Sequence, residues 1–140
     1  MRIITATELK SSNNHNGWFL YRGSTFSSKE FILIMNSDFI FLTNGSVHNP
    51  SGPALISQTL DSEMRKIDHY LYGIKHRVDG PSSFYAKVSW VENEPVFSDI
   101  ISPEYYLNGK TYFKNEFESH PEVIRYHKKC EMKHLFQNFA

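Results

Sequence analysis

Gly73-Ile74-Lys75-His76-Arg77-Val78-Asp79-Gly80-Pro81 repeats, position for position, the frame of Gly45-Ser46-Val47-His48-Asn49-Pro50-Ser51-Gly52-Pro53. An aromatic-leucine stretch precedes each copy: Phe41-Leu42-Thr43-Asn44 in the first and Tyr70-Leu71-Tyr72 in the second. A unit this short buries too little surface alone and must stack on its neighbours. Gly45, Gly73 and Gly109 supply left-handed turn geometry. Asn44-Gly45 and Asn108-Gly109 are hairpin dipeptides, because a type I′ turn needs positive φ at both central residues. Gly52-Pro53 and Gly80-Pro81 stop one strand and stiffen entry to the next. Asp79 is suited to accept backbone hydrogen bonds in its corner, with His48 and His76 as further corner-holding groups.

Working outward, Trp18 to Arg22 reads as a strand ending at Gly23, and Phe31 to Met35 and Asp38 to Leu42 as two strands joined at Asn36-Ser37. Ala54 to Ser57, His69 to Tyr72, Pro81 to Trp90 and Tyr105 to Leu107 complete the set. Aligning Gly23, Gly45, Gly73 and Gly109 places Phe19, Phe41, His69 and Tyr105 in one column and Leu20, Leu42, Tyr70 and Tyr106 in the next. Neighbouring strand residues face opposite ways, so one column should line the core. The tails after Gly23 and Gly109 share Thr, an aromatic, Glu and Phe, and Ser27-x-x-Glu30 has capping-box spacing for a helical turn. Asn93 to Pro103, with two prolines, reads as a loop containing a short strand at Val96-Phe97. Ser119-x-x-Glu122 with Pro121 starts a helix running to about Gln137 and lying in a groove, with Val123, Tyr126 and Cys130 on one side and Ile124, Leu135 and Phe139 on another.

The chain has 140 residues, the usual size of one domain. Its boundaries read as a lead-in over 1–17, in which Thr5-x-x-Glu8 supports at best one helical turn, hairpins over 18–112 and a closing helical segment over 113–140. The fold class is α+β: an antiparallel sheet of successive β-hairpin repeats, capped by short helices and a C-terminal helix. The 11 Phe and 8 Tyr suit pleated sheets and interfaces equally, so they do not separate the two. Zero net charge disfavours a phosphate-binding surface. The single cysteine, Cys130, cannot close an internal disulfide. With no signal-peptide pattern and no long apolar run, the expectation is a soluble cytoplasmic protein without membrane contact.

Four groups of residues carry possible chemistry. His48 and His76 occupy equivalent positions, but a metal between them needs more ligands. His127, Cys130 and His134 share a helical face, with the two imidazoles about 10 Å apart along the axis, too far for one ion. His69 beside Asp68, and His76 near Asp79, are acid–base pairs only if geometry joins them. Arg125, Lys128, Lys129 and Lys133 make the last helix basic. There is no nucleophile elbow, phosphate loop or His-Glu-x-x-His motif. Neither metal nor cofactor is expected, and no catalytic residue is assigned.

The Gly73 phrase resembles the signature of a repeat family whose units read aromatic-x-Asn-Gly-x-x-His-Arg-x-Asp-Gly-Pro-Ala. These units are similar to MORN-type hairpin repeats and are common in bacteriophage and large-virus proteins. Residues His69 to Ser82 match except at Tyr72 and Ser82; Phe41 to Ala54 replaces Arg-x-Asp by Asn49-Pro50-Ser51. Tyr105 to Val123 resembles the family's closing segment, through Asn108-Gly109, Lys114-x-Glu116-Phe117 and His120-Pro121-Glu122. The resemblance covers about half the chain and implies a fold element and a phage-like origin, but no activity.

The expectation is a non-catalytic, protein-binding accessory protein that engages or inhibits a host protein in the host cytoplasm. Trp90, Glu92, Glu94 and Phe97, at the irregular insertion, are the candidate partner contacts. A nucleic-acid accessory protein using the basic helix is the second expectation, and a small metal-dependent enzyme the third. Open edge strands can pair into a dimer.

Overall fold

The computed structural model describes residues 1–11, 13–59 and 63–139, and the side chains of that set as far as Gln137. Thr5 opens the first helix as its capping-box spacing predicts: its hydroxyl donates to Glu8 Oε1 at 3.0 Å and accepts from the Glu8 N–H at 3.4 Å. β1 (Arg2–Ile4) and α1 (Ala6–Ser11) are therefore part of the fold and not merely a lead-in. Ile4 and Leu9 are buried in the core, and β1 pairs in parallel with β2 (Gly17–Tyr21).

The next segment departs from expectation. β3 (Phe26–Ser27) and β4 (Leu33–Ile34) form a small ribbon of their own. Ser28 closes it: its N–H reaches Ile32 O, and its hydroxyl accepts the Ile32 N–H. That bonding replaces both the helical turn expected from Ser27-x-x-Glu30 and most of the strand expected from Phe31 to Met35. Phe31 sits at φ 62 and is 92 % exposed, whereas its counterpart Phe117 is 4 % exposed. The two similar tails fold differently: the first sends Ile32 and Ile34 into the first core cluster and turns Phe31 outward, whereas the second buries Phe117 itself.

β5 (Phe39–Thr43) and β6 (Ser46–Val47) form a hairpin closed by Asn44-Gly45. β7 (Leu55–Gln58) and β8 (Arg65–Asp68) follow, then the hairpin of β9 (Tyr70–Leu71) and β10 (Ile74–Lys75), closed by Tyr72-Gly73. β11 (Ser83–Val91) and β12 (Glu94–Leu107) make a long hairpin, and β13 (Lys110–Tyr112) returns after Asn108-Gly109. Among the described residues, the main sheet runs β1-β2-β5-β7-β8-β11-β12-β13, with β6 alongside β5. Beyond the parallel β1–β2 pair its strands are antiparallel.

The region expected as a loop, Asn93 to Pro103, is thus strand. Glu92 and Asn93 take φ 52 and 63, a two-residue turn without glycine. Pro95 lies opposite Trp90 next to this turn, and Pro103 falls in a register shift between the Tyr85–Ile101 and Ser83–Glu104 pairs. An irregular ladder position accommodates Pro103, and at Pro95 β12 pairs with β11 alone, an edge position that tolerates a residue without an N–H. Asp99 and Ser102, at φ 55 and 52, mark two points where β12 bends.

Clusters lie on both faces of the sheet across β2, β5 and β7, so the two aligned columns do not sort into core and surface. Phe19, His69 and Leu42 are buried, whereas Phe41, Tyr105, Leu20, Tyr70 and Tyr106 are half-buried. One cluster joins Ile4, Leu9, Phe19, Tyr21, Ile40 and Leu55. A second joins Trp18, Ile56, Ile67, Phe84 and Ala86, with Phe39, Trp90 and Phe97 packed against it. In a flat sheet β2 and β11 would stand about 19 Å apart, four strand spacings. The Trp18 and Trp90 rings are nevertheless 5.3 Å apart, edge to face. The sheet must curl, and its aromatic face closes on itself.

α2 (Lys114–Glu118) and α3 (Pro121–Phe139) end the chain, and Leu107, Phe117 and Val123 form a third cluster beneath them. Ser119 does not start α3; its hydroxyl donates back to Asn115 O and Glu116 O. His120 performs that task, its Nδ1 accepting the Glu122 N–H at 3.2 Å. Nor does α3 lie in a groove. Val123 is buried, Glu122 and Tyr126 are half-buried, and its other described side chains are exposed. The side expected for Phe139 lies outside the described side chains.

Candidate functional site

The three glycine-containing turns share one geometry. Asn44, Tyr72 and Asn108 have φ of 50, 50 and 52, followed by Gly45, Gly73 and Gly109 at 78, 79 and 82. Gly23 belongs to no such two-residue turn; its N–H donates to Asn36 Oδ1. The corner residues bond in parallel ways. Phe41 N–H donates to Ala54 O and His69 N–H to Ser82 O; Asn49 N–H reaches Tyr70 O and Arg77 N–H reaches Tyr106 O. Asn49 Nδ2 donates to Pro53 O at 2.9 Å, and Arg77 Nη1 to Pro81 O at 3.0 Å. Asn49 also accepts from Ser51, as Arg77 Nε donates to Asp79 at 2.8 Å.

The two repeated histidines are acceptors. His48 Nδ1 takes the Tyr72 N–H at 3.1 Å, and His76 Nδ1 takes the Asn108 N–H at 2.9 Å. Each imidazole therefore satisfies a backbone donor at the next turn along the chain, a long-range contact that local spacing does not reveal. Burial lowers the His48 pKa, consistent with a neutral ring stacked 4.0 Å from Tyr72. Replacing His48 or His76 by Phe should destabilise by about 1–2 kcal/mol, by leaving the turn N–H without its acceptor. Equilibrium denaturation of each single variant measures this.

Gly52 and Gly80 serve space rather than φ. A Cβ on Gly80 would stand 3.0 Å from Arg77 Cζ, and one on Gly52 would stand 3.3 Å from Asn49 Nδ2. The glycine before each proline lets the side chain three positions earlier fold over the corner.

Both corners open on one concavity of about 670 Å³. Asn49, Ser51, His69, Arg77, Asp79 and Tyr126 supply its polar lining, and Leu71, Val78, Phe84, Phe97 and Ile100 its apolar lining. His76 also borders it, with Nε2 4.0 Å from Glu122 Oε2. His69 is buried, and its Nδ1 lies 3.0 Å from Ser82 O, so that nitrogen donates. Burial, reinforced by the Arg77 charge, pushes its pKa down to about 4. Burial would raise the Asp79 carboxyl, but the hydrogen bond and charge of Arg77 hold it below the ordinary range.

The candidate acid–base pairs are not joined among the described residues. Asp68 is held by Ser83 Oγ and by Lys75 Nζ at 3.3 Å, His69 by Ser82, and Asp79 by Arg77. Among the described residues no three His, Cys, Asp or Glu side chains converge to hold a metal ion. His127, Cys130 and His134 are all exposed on α3.

The four candidate partner contacts divide. Trp90 and Phe97 point into the aromatic cluster, and Phe97 also borders the concavity. Glu92 and Glu94 are exposed at the hairpin tip, and Arg125, Lys128, Lys129 and Lys133 are exposed on α3. Sequence reasoning missed Tyr126, Val78 and Ile100 as lining residues. Phe84, Ala86, Val88 and Trp90 alternate with Tyr85, Lys87 and Ser89, the sequence signal for a strand whose two faces differ. No helix among the described residues is long and apolar enough to cross a membrane. Comparison of the chain with protein-family models, curated proteins and solved structures finds no match.

Proposed function

We propose that the protein is a non-catalytic binding module whose sheet is a stack of hairpin repeats, and that the concavity between its corners receives part of a protein partner. The observation that carries this reading is how the groups capable of chemistry are employed. His69, His76, Arg77 and Asp79 border the concavity, yet each is engaged in hydrogen bonds that hold a corner or a turn. What remains is an apolar wall of Val78, Phe84, Phe97 and Ile100 beside a fixed polar rim, the composition of a pocket for an apolar side chain. The recurring backbone bonds at both corners support the repeat reading and its MORN-like resemblance. On that resemblance, the module is a phage-type accessory protein acting on a host protein.

Ile100 is exposed and outside the core clusters, so it can be changed without unfolding the chain. Affinity capture is the test, with Ile100→Glu and Tyr126→Ala beside the unmodified protein. A protein retained by the wild type and lost by both variants, with unchanged thermal unfolding, supports the reading. Equal retention by all three overturns it.

A further inference from the structure

Two exposed surfaces lie outside the concavity, and each is apolar in the middle and charged at its margin. The first is α3. Beyond Val123 it exposes Ile124, Met132, Leu135 and Phe136, the last at 70 %. At 100° per residue these four fall within an arc of about 120°, which Arg125 and Lys128 also occupy, with Lys129 beside one edge and Glu131 beside the other, so its charge is net basic. A helix packed only as far as Tyr126, with every later described side chain exposed, lacks over most of its length the packing that ordinarily supports helices in proteins.

The second surface is the outer face of the β11–β12 hairpin. Val91 pairs with Glu94, Ser89 with Val96, Lys87 with Ser98 and Tyr85 with Ile101. Val91, Val96 and Ile101 are about half exposed, at 57, 47 and 52 %. Glu92 and Glu94 edge this face at its tip, Asp99 is paired with Lys87 at 3.3 Å, and Lys66 of β8 lies beside Tyr85 at the opposite end. The dimensions agree: Ile124 to Phe136 spans about 18 Å of helix, and Tyr85 to Val91 about 20 Å of strand.

We infer that the protein self-associates by laying the basic, apolar face of α3 from one copy across the acid-edged outer face of the β11–β12 hairpin of a second copy. Opposite charge at the margins sets the register and speeds encounter, and the apolar centres supply the burial. Both surfaces stay exposed on a single chain, so each copy offers what the other lacks. The occupant is therefore a second copy, in preference to nucleic acid, for which the basic face alone would serve.

Sedimentation velocity over a wide concentration range tests this. The wild type should pass from monomer to dimer or higher assembly, and added salt should weaken the association. Lys128→Glu/Lys129→Glu and Glu92→Lys/Glu94→Lys should each weaken it by about tenfold or more. An equimolar mixture of the two variants should regain it, because the now acidic helix of one meets the now basic hairpin of the other. Leu135→Asp, which leaves the charges in place, should also weaken it, and circular dichroism reports whether α3 persists in each variant. A wild type that stays monomeric overturns the inference, as does association that neither reversal affects or a mixture without recovery. Salt-sensitive binding of DNA or RNA by a monomeric wild type, lost in Lys128→Glu/Lys129→Glu, would instead assign the basic face to nucleic acid.

Discussion

Acidification from pH 7 toward pH 4 should cost the folded state up to about 3 kcal/mol through His69 alone, and His69→Phe should remove that loss. In the folded protein His69 titrates at about 4, and in the unfolded chain near 6.5. Between these values the unfolded chain takes up a proton that the folded chain refuses. The stability is thus fully present above pH 6.5 and is lost as pH falls toward 4. His48, also lowered by burial, adds loss of the same sign. Asp38 acts oppositely: burial raises its carboxyl pKa, so its folded form binds a proton first and offsets part of the decline.

His69→Phe is a mild test of this account. Ser82 O keeps the backbone N–H of residue 69 at 2.8 Å, so the carbonyl is not stranded. The aligned positions hold Phe19, Phe41 and Tyr105, so an aromatic suits the site. At pH 7 the variant should lie within about 1.5 kcal/mol of wild type, as near-isosteric core exchanges do. Urea denaturation at several pH values between 7 and 4 gives the two curves. An equally steep acid loss in the variant would show that His69 is not its source.

Gly73→Ala should be the most damaging of the turn substitutions, at more than about 2 kcal/mol. Two effects add. At φ +79 an L-residue is strained, at about 1 kcal/mol. In addition, the new Cβ would stand 2.4 Å from Glu30 Cβ and 2.5 Å from Glu30 Cγ. Glu30 lies in the turn between β3 and β4, and its Cβ cannot move without its backbone. Gly109→Ala is the internal control: φ is +82, but the nearest neighbour is Ile74 Cγ2 at 3.3 Å, so about 1 kcal/mol of strain is expected. Glu30→Gly should relieve the clash but not the strain. A double-mutant cycle by thermal unfolding would therefore show a coupling of about 1 kcal/mol or more between positions 30 and 73 and none between 30 and 109. Equal losses at Gly73 and Gly109 would exclude the contact with Glu30.

Much of the local structure was legible because it rests on local rules. Positive φ at adjacent residues demands Asn-Gly or its equivalents, and Asn44-Gly45 and Asn108-Gly109 announced their hairpins. Thr5-x-x-Glu8 marked one helical turn, and there Thr5 caps the start of the six-residue α1, its hydroxyl accepting the Glu8 N–H. Glu92-Asn93 makes the same turn without glycine, so β12 was hidden behind a missing punctuation mark and two prolines, one on a stretch of β12 that pairs with β11 alone and one at a register shift.

The chain's spacing alone determined the turns at Gly45, Gly73 and Gly109 and the α+β class, since glycine turns and strand and helix patterns rest on rules that act within a few residues. Tertiary structure decided where those corners face and what each imidazole bonds, because the acceptors pair with donors one hairpin further along: His48 with Tyr72, His76 with Asn108. It also decided that the sheet curls to join Trp18 with Trp90, and that the described side chains of α3 are exposed past Tyr126. Those outcomes depend on accumulated strand twist and on contacts between distant residues, which no local pattern encodes.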